Sequence, residues 1–176
     1  MVEDDDFGSF SEEEMFVAAM QNKVMMAAWA FLGAFIRDHD LVQAWGVMSP
    51  AMRESWARWW VEANDTALKQ HGFEAGNVIE GLVSEGHEHQ LWEDFERVAL
   101  RDRRQELAGL EFEDLGIGTN PRVIGPHLEV LYVHPQLPEG GVWEPGREAM
   151  VFPLTMLFDN GRWWVDAYGS EEPSTV

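Results

Sequence analysis

Hydrophobic positions in the first half of the chain recur with a helical period. The pattern predicts a long first helix over residues 12–37, containing the apolar run VMMAAWAFLGAFI, and a short second helix through LVQAWGVM. Asp40 can cap the second helix, and Ser49 followed by Pro50 predicts the start of a third. The third helix ends at Gly72, and its apolar stripe comprises Met52, Trp56, Trp59, Trp60, Ala63 and Ala67.

Residues 73–90 fit two structures, because NVIEGLVSEG is compatible with a short helix or with an irregular strand. The next segment, LWEDFERVALRDRRQEL, predicts a helix with Leu91, Trp92 and Phe95 on one face. This helix also holds the most concentrated positive stretch of the chain, formed by Arg97, Arg101, Arg103 and Arg104. The stretch fits an exposed face that pairs with acidic side chains, or a docking patch for an anionic partner.

After Gly109 the hydrophobic period changes to two, which is typical of strands. The segment HLEVLYVH, residues 127–134, predicts one strand, and Asn160-Gly161 predicts a β-hairpin between EAMVFPLTMLF and RWWVDAY. Helices followed by strands favour an α+β fold, with the helices packed on one face of an antiparallel sheet. We expect a disordered acidic tail over residues 1–10, one domain over 11–170 and a tail over 171–176.

The Asn160-Gly161 turn predicts the register of the hairpin, and the register predicts its two faces. It pairs Phe158 with Trp163, Met156 with Val165, and Leu154 with Ala167, so the apolar side should pack on the helices. The other side then presents a cluster of Leu157, Trp164 and Tyr168. We interpret this cluster as a subunit interface. Cover by the loop over 135–147 or by the C-terminal tail, and stacking on a ligand, are the alternatives.

The formal net charge of −20, from 32 acidic and 12 basic side chains, excludes some partners. Binding to nucleic acid or to an anionic membrane needs an excess of lysine and arginine that this chain lacks. The charge fits a soluble, self-repelling surface, or an acidic mimic of DNA that captures a basic partner. The chain has no cysteine, which excludes disulfides and thiolate metal sites.

Residues 24–36 form an apolar run that is too short to span a bilayer, which takes about 20 residues. The start MVEDDD lacks the positive charge of a signal peptide. We therefore expect a cytoplasmic protein with a buried helix over this run.

The segments FLGAFIRDHDLVQAWGVMSP and NGRWWVDAYG, with paired strands between them, resemble the nuclear transport factor 2-like superfamily. That superfamily includes ketosteroid isomerases, scytalone dehydratase and polyketide cyclases, and the resemblance covers about residues 12–169. It implies a curved antiparallel sheet with the N-terminal helices packed in its concave face, an internal pocket and a homodimer formed through the outer sheet face. The pocket would be lined by Trp29, Trp56, Tyr132, Met156 and Trp163.

Three small groups of polar residues are candidates for chemistry. Tyr132 and His134 would act as hydrogen-bond donor and general base if their strand face is concave, with Glu129 and His127 as the opposite-face alternative. His39 and Asp40 fit an acid–base pair or a helix cap. His87 and His89 fit two ligands of a metal site, although a third ligand is missing from the motif and an exposed polar loop is favoured. No metal or cofactor is expected.

The sequence is compatible with two kinds of function. The favoured one is a non-catalytic protein-interaction module, dimeric and with a possible protein partner, because no catalytic set stands out from the structural alternatives. The acidic mimic of DNA is a variant of it. The other kind is a pocket protein that binds a small molecule, or a cofactor-free isomerase, dehydratase or cyclase with one acid–base residue.

Overall fold

A computed structural model describes residues 12–107, 110–118, 121–136 and 151–169, together with Pro173; residues 12–17 and Glu106 are described by their backbone alone. The predicted tail over residues 1–10, most of the loop over 135–147 and most of the tail over 171–176 lie outside the described residues. The described part combines helices with a curved five-stranded antiparallel sheet, which confirms the predicted α+β fold.

Five α-helices form the first half of the described chain: α1 Glu12–Leu32, α2 Leu41–Val47, α3 Pro50–Gln70, α4 Ala75–Glu85 and α5 Trp92–Arg103. A π-helical segment, Gly33–Asp38, continues α1 to the predicted end of the first helix. The Asp40 carboxylate accepts a hydrogen bond from the Gln43 N–H at 2.9 Å, and Ser49 Oγ accepts one from the Met52 N–H at 3.0 Å. Both predicted caps are confirmed. The ambiguous region after Gly72 forms α4 and a short 3-10 turn, Gly86–Glu88.

The strands are β1 Leu115–Ile117, β2 Arg122–Gly125, β3 Leu128–Pro135, β4 Phe152–Asp159 and β5 Arg162–Tyr168. The sheet order is β1–β3–β4–β5. The strands β1 and β2 share one edge of β3: β2 pairs with its first half and β1 with its last residues. Asn160 and Gly161 have φ of 51° and 78° at the predicted hairpin turn. Two positive φ angles are what a two-residue turn of this kind needs, which explains the Asn-Gly pair.

The core lies between the helices and one face of the sheet. Phe31 of α1, Phe35 of the π-helical segment and Trp56 of α3 surround Tyr168 of β5, with ring centroids 5.8–6.1 Å from the Tyr168 ring. From the sheet, Leu131, Leu154, Met156 and Val165 point to the same side and are fully buried or nearly so. We call this side the inner face and the opposite side the outer face.

Candidate functional site

The outer face presents a continuous apolar row across three neighbouring strands. Leu128 of β3 lies opposite Leu157 of β4, which in turn lies opposite Trp164 of β5. All three side chains are half-buried. Facing side chains in an antiparallel sheet are close enough to contact one another, so the three form one apolar strip. We call Leu128, Leu157 and Trp164 the outer row.

The outer face continues along β3 and β4 with the half-buried Val130, Tyr132 and Pro153 and the buried Thr155. Val130 lies opposite Thr155, and Tyr132 lies opposite Pro153. On the far edge Arg122 pairs with Val130, while the exposed Asp159 lies at the hairpin end beside Arg162. Among the described outer positions of these strands, Asp159 carries the one exposed carboxylate. The whole chain has 32 acidic residues. The outer face is therefore much less acidic than the chain as a whole.

Trp164 lies beside two arginine side chains from different parts of the fold. The Arg162 guanidinium lies 3.6 Å from the centre of the indole ring, and that of Arg53, from the second turn of α3, lies 5.6 Å away. The Trp164 N–H donates to the Asp159 carbonyl at 3.3 Å. The adjacent tryptophans of β5 point to opposite faces of the sheet. Trp163 enters the core, whereas Trp164 forms a cation–π site on the outer face.

Backbone carbonyls hold both arginines in place. Arg53 Nε donates to the Met48 carbonyl at 3.1 Å, and an Arg162 terminal nitrogen donates to the Gly46 carbonyl at 2.9 Å. Burial lowers the pKa of the half-buried Arg53 below its ordinary value, and the neighbouring positive charge of Arg162 lowers it further. The positive charges of the two guanidinium groups beside Trp164 therefore repel each other.

Tyr168 does not belong to the outer face, and its predicted role in the interface is wrong. The hairpin keeps the predicted register from Asp159–Arg162 to Met156–Val165, and then a bulge pairs Thr155 with Ala167 and Leu154 with Tyr168. The shift turns Tyr168 to the inner face, where it is 2% exposed and its hydroxyl donates to the Arg103 carbonyl. Leu157 and Trp164 keep their predicted outer positions.

Tyr132 and His134 lie on the outer face, so their expected role inside a concave pocket is not supported by their positions. Their neighbours Leu131 and Val133 are the β3 residues that enter the core. The His134 ring packs on Gly116, where an added Cβ would lie 2.8 Å from Cε1, and its Nδ1 lies 3.0 Å from the Pro135 carbonyl oxygen. Glu129 lies on the inner face opposite Met156, and burial raises its pKa above the ordinary glutamate value.

The Asp40 carboxylate bonds Gln43 and not His39, so the expected acid–base pair of His39 and Asp40 is not seen. The Asp40 carboxylate accepts from the backbone N–H and the side-chain amide of Gln43, and it caps α2. His39 has a φ of 54° and terminates the π-helical segment. The adjacent Asp38 bonds Arg37, and this hydrogen bond lowers the Asp38 pKa. These residues therefore match the helix-cap interpretation, at the junction between the π-helical segment and α2.

His87 and His89 lie in the turn between α4 and α5. His87 is exposed, whereas the His89 ring packs on Gly81 and its Nδ1 accepts from the Leu91 N–H at 3.2 Å. No group of three or more metal-ligating side chains occurs among the described residues. The two histidines therefore match the polar-loop interpretation.

The side chains expected to line an internal pocket lie in three different environments: the core, the outer face and the surface beside α1. Trp56 and Met156 are fully buried in the core, Trp163 is 8% exposed at the same side, and Tyr132 lies on the outer face. Trp29 packs edge-on against Phe112, with ring centroids 5.6 Å apart, and lines a surface groove along α1. Around Trp56, Met156 and Trp163, the space on the inner face is occupied by packed protein side chains.

A groove between α3 and α5 is the feature that sequence reasoning missed. Its volume is about 350 Å³. Its apolar residues are Trp60, Ala67, Leu68, Phe73, Leu91 and Val98, and its polar residues are Asn64, His71, Asp94 and Arg97. The apolar stripes of the two helices were visible in the sequence, but the groove between them depends on how the helices pack against each other.

Searches against models of known protein families, characterised proteins and solved structures found no match to this chain. Among the helices that the structure describes, none has the length and apolar content needed to cross a membrane.

Proposed function

We propose that this chain is a non-catalytic protein-interaction module and that its outer sheet face binds a partner protein. The observation that supports this proposal best is the outer row, because Leu128, Leu157 and Trp164 form an uninterrupted half-buried apolar strip across three strands. Contiguous apolar surface of this kind marks interaction sites more often than scattered apolar residues do. A tryptophan next to arginines is also the composition enriched at binding hot spots.

The inner face supports the same proposal, because aromatic and aliphatic side chains pack its centre. Phe31, Phe35 and Trp56 pack round Tyr168, and Leu154 and Met156 are fully buried beside them. An isomerase or cyclase of the cone-shaped class would need room for a substrate among these side chains. The packing therefore favours binding at the surface over chemistry in the interior.

A partner other than a second copy fits the charges better. A two-fold symmetric dimer brings the same patch of each subunit together. On the outer face this would set Arg53, Arg162 and Arg122 of one copy near those of the other, with Asp159 as the exposed acid on the described outer strands. The predicted homodimer is thus the competing occupant of this face.

Site-specific photocrosslinking in cells of the native host would test the proposal. A photoreactive residue at Leu157 should crosslink to one discrete protein, and the same residue at Thr66, exposed on α3, should not. The crosslink at position 157 should disappear when Trp164 is replaced by Glu. Equal crosslinking at both positions, or none at position 157, would contradict the proposal, and a crosslink between two copies would favour the homodimer.

The groove between α3 and α5 supports a second candidate function, small-molecule binding. Its volume of about 350 Å³ lies in the range of ligand sites, and apolar walls with a few polar groups are their usual composition. Native mass spectrometry of gently purified protein would reveal a retained ligand. The added mass should vanish in a Val98→Trp variant, which fills the groove, and an adduct that persists there would place the ligand elsewhere.

A further inference from the structure

Two positive side chains share the Trp164 ring, and neither forms an ion pair with a carboxylate of the described residues. Elsewhere in the described chain five cations pair with neighbouring acids, among them Arg37 with Asp38 and Lys69 with Asp65, each at 2.8 Å. Arg162 of β5 is the cross-strand neighbour of Asp159 in β4, but the Asp159 carboxylate accepts a hydrogen bond from the Asn160 side chain at 2.8 Å. Within the described residues, therefore, two neighbouring guanidinium groups have no carboxylate partner, although the chain has 32 acidic residues.

The two guanidinium groups near Trp164 keep N–H donors that an anion could use. Each spends one N–H on a backbone carbonyl, Met48 for Arg53 and Gly46 for Arg162. Since a guanidinium has five N–H donors in a planar fork, most donors remain for a ligand, and the fork matches the two oxygens of a carboxylate. A carboxylate bound here would also relieve the repulsion between the two positive charges.

We infer that Arg53, Trp164 and Arg162 form a binding site for the carboxylate side chains of an acidic segment in a partner protein. The inference rests on the proposed function, and it specifies the chemistry of the partner. Such a segment would place its acids on the two arginines and its apolar side chains on Leu157 and Leu128, which continue the outer row from Trp164. The site is therefore specific for a segment that combines both kinds of residue.

The net charge of −20 does not prevent this recognition at physiological ionic strength. Salt screens exposed charges over a Debye length of about 8 Å, so the groups nearest the ligand dominate the interaction. Near Trp164 those exposed groups are the two arginines and the carboxylate of Asp159, so the positive charges are in excess. The acidic residues elsewhere reduce the rate of encounter, and they make binding sensitive to salt.

The test is a titration of the full chain with a peptide of repeated Glu-Leu-Glu units, followed by NMR signals of the Trp164 indole N–H and the arginine Nε–H groups. The signals of Trp164, Arg53 and Arg162 should move together, and the peptide with Gln in place of Glu should leave them unmoved. Arg162→Gln should weaken binding by about tenfold, the usual effect of losing one charge-assisted hydrogen bond. Arg58→Gln is the matched control, because Arg58 lies on α3 five residues beyond Arg53 and pairs with Glu54.

Several results would overturn the inference. They are an absence of shifts at millimolar peptide, equal shifts with the Gln peptide, or equal losses in Arg162→Gln and Arg58→Gln. Binding that appears only after residues 1–10 are removed would assign the site to the chain's own acids. The photocrosslinking experiment is independent of these results. A crosslink at Leu157 without peptide binding would retain the proposed function and reject the acidic partner.

Discussion

Ser49 Oγ donates a 2.6 Å hydrogen bond to the carboxylate of Asp166, and both residues are 0% exposed although 117 positions separate them in the chain. The same hydroxyl caps α3 by accepting from the Met52 N–H, and the Ser49 N–H donates to the Val165 carbonyl at 2.7 Å. Asp166 is the extra residue of the bulge in β5. This contact joins the start of α3 to the sheet edge beside Trp164, and so it positions Arg53 over the outer face.

Replacing Ser49 with Ala should therefore destabilise the fold more than loss of a helix cap alone. Loss of the cap costs about 1 kcal/mol. The buried carboxylate of Asp166 would also lose one partner, which adds about 1–3 kcal/mol. Urea unfolding of Ser49→Ala should thus show a loss of about 2–4 kcal/mol in the free energy of unfolding.

Ser84→Ala is the control for that experiment, because Ser84 is exposed and bonds the Glu80 carbonyl within its own helix. It should change the free energy of unfolding by less than about 0.5 kcal/mol. Equal losses in the two variants would show that the contact with Asp166 adds nothing to stability.

Trp164 and Tyr168, predicted to share a face, should respond differently to truncation. Tyr168 packs against three aromatic rings in the core, so Tyr168→Ala should cost about 3–5 kcal/mol. Trp164 is half-buried on the outer face, and Trp164→Ala should cost about 1 kcal/mol while it abolishes partner binding. Thermal unfolding followed by near-UV circular dichroism separates the two, and similar losses in both variants would contradict the assigned faces.

The hairpin shows which part of this structure could be predicted from the sequence. The Asn160-Gly161 turn determines the register locally, and the pairs from Asp159–Arg162 to Met156–Val165 follow it. The register changes at Asp166, where the bulge coincides with the contact to Ser49. No local pattern near Asp166 could have indicated a partner 117 residues away, so Tyr168 was placed on the wrong face.

The candidate site was predicted in part for the same reason. Alternation along β4 and β5 placed Leu157 and Trp164 on the outer face. Leu128 joined them only through the pairing of β3 with β4, and Arg53 only through the way α3 leaves the sheet edge. Local periodicity predicts the face of a residue within its own element. Neighbours from distant elements depend on tertiary packing.

Two glycines of α4 should respond in opposite directions to alanine. At Gly81 an added Cβ would lie 2.5 Å from Cδ2 of the His89 ring, so the ring and its hydrogen bond to the Leu91 N–H must shift. Gly81→Ala should lower the free energy of unfolding by about 1–3 kcal/mol. At Gly76 no atom lies within 4 Å of the added Cβ, and Gly76→Ala should raise stability by about 0.5 kcal/mol. Urea midpoints measured side by side check both signs, and a stabilised Gly81→Ala would contradict the packing of His89.

Glu96 of α5 has a partly buried carboxyl group, which makes the stability of the fold depend on pH. Burial raises the pKa of Glu96, the backbone N–H of Leu41 opposes the increase by donating to the carboxylate, and the negative charge of Asp40 raises the pKa further. The folded chain therefore binds this proton more tightly than the unfolded chain does. Stability contributed by the group is present below the ordinary glutamate pKa of about 4.3 and is lost as the pH rises through the higher pKa of the folded state.

At neutral pH the charged Glu96 should thus destabilise the fold, and Glu96→Gln should remove this effect while its side-chain oxygen still accepts from the Leu41 N–H. The variant should be more stable than the wild type at pH 7, and the difference should disappear as the pH falls below the ordinary glutamate range. Glu62→Gln, at an exposed position of α3, is the control for the loss of one negative charge from an acidic chain. Urea unfolding at a series of pH values measures both differences. The raised pKa would be contradicted if Glu96→Gln and Glu62→Gln gained the same free energy of unfolding. It would also be contradicted if the gain of Glu96→Gln did not change with pH.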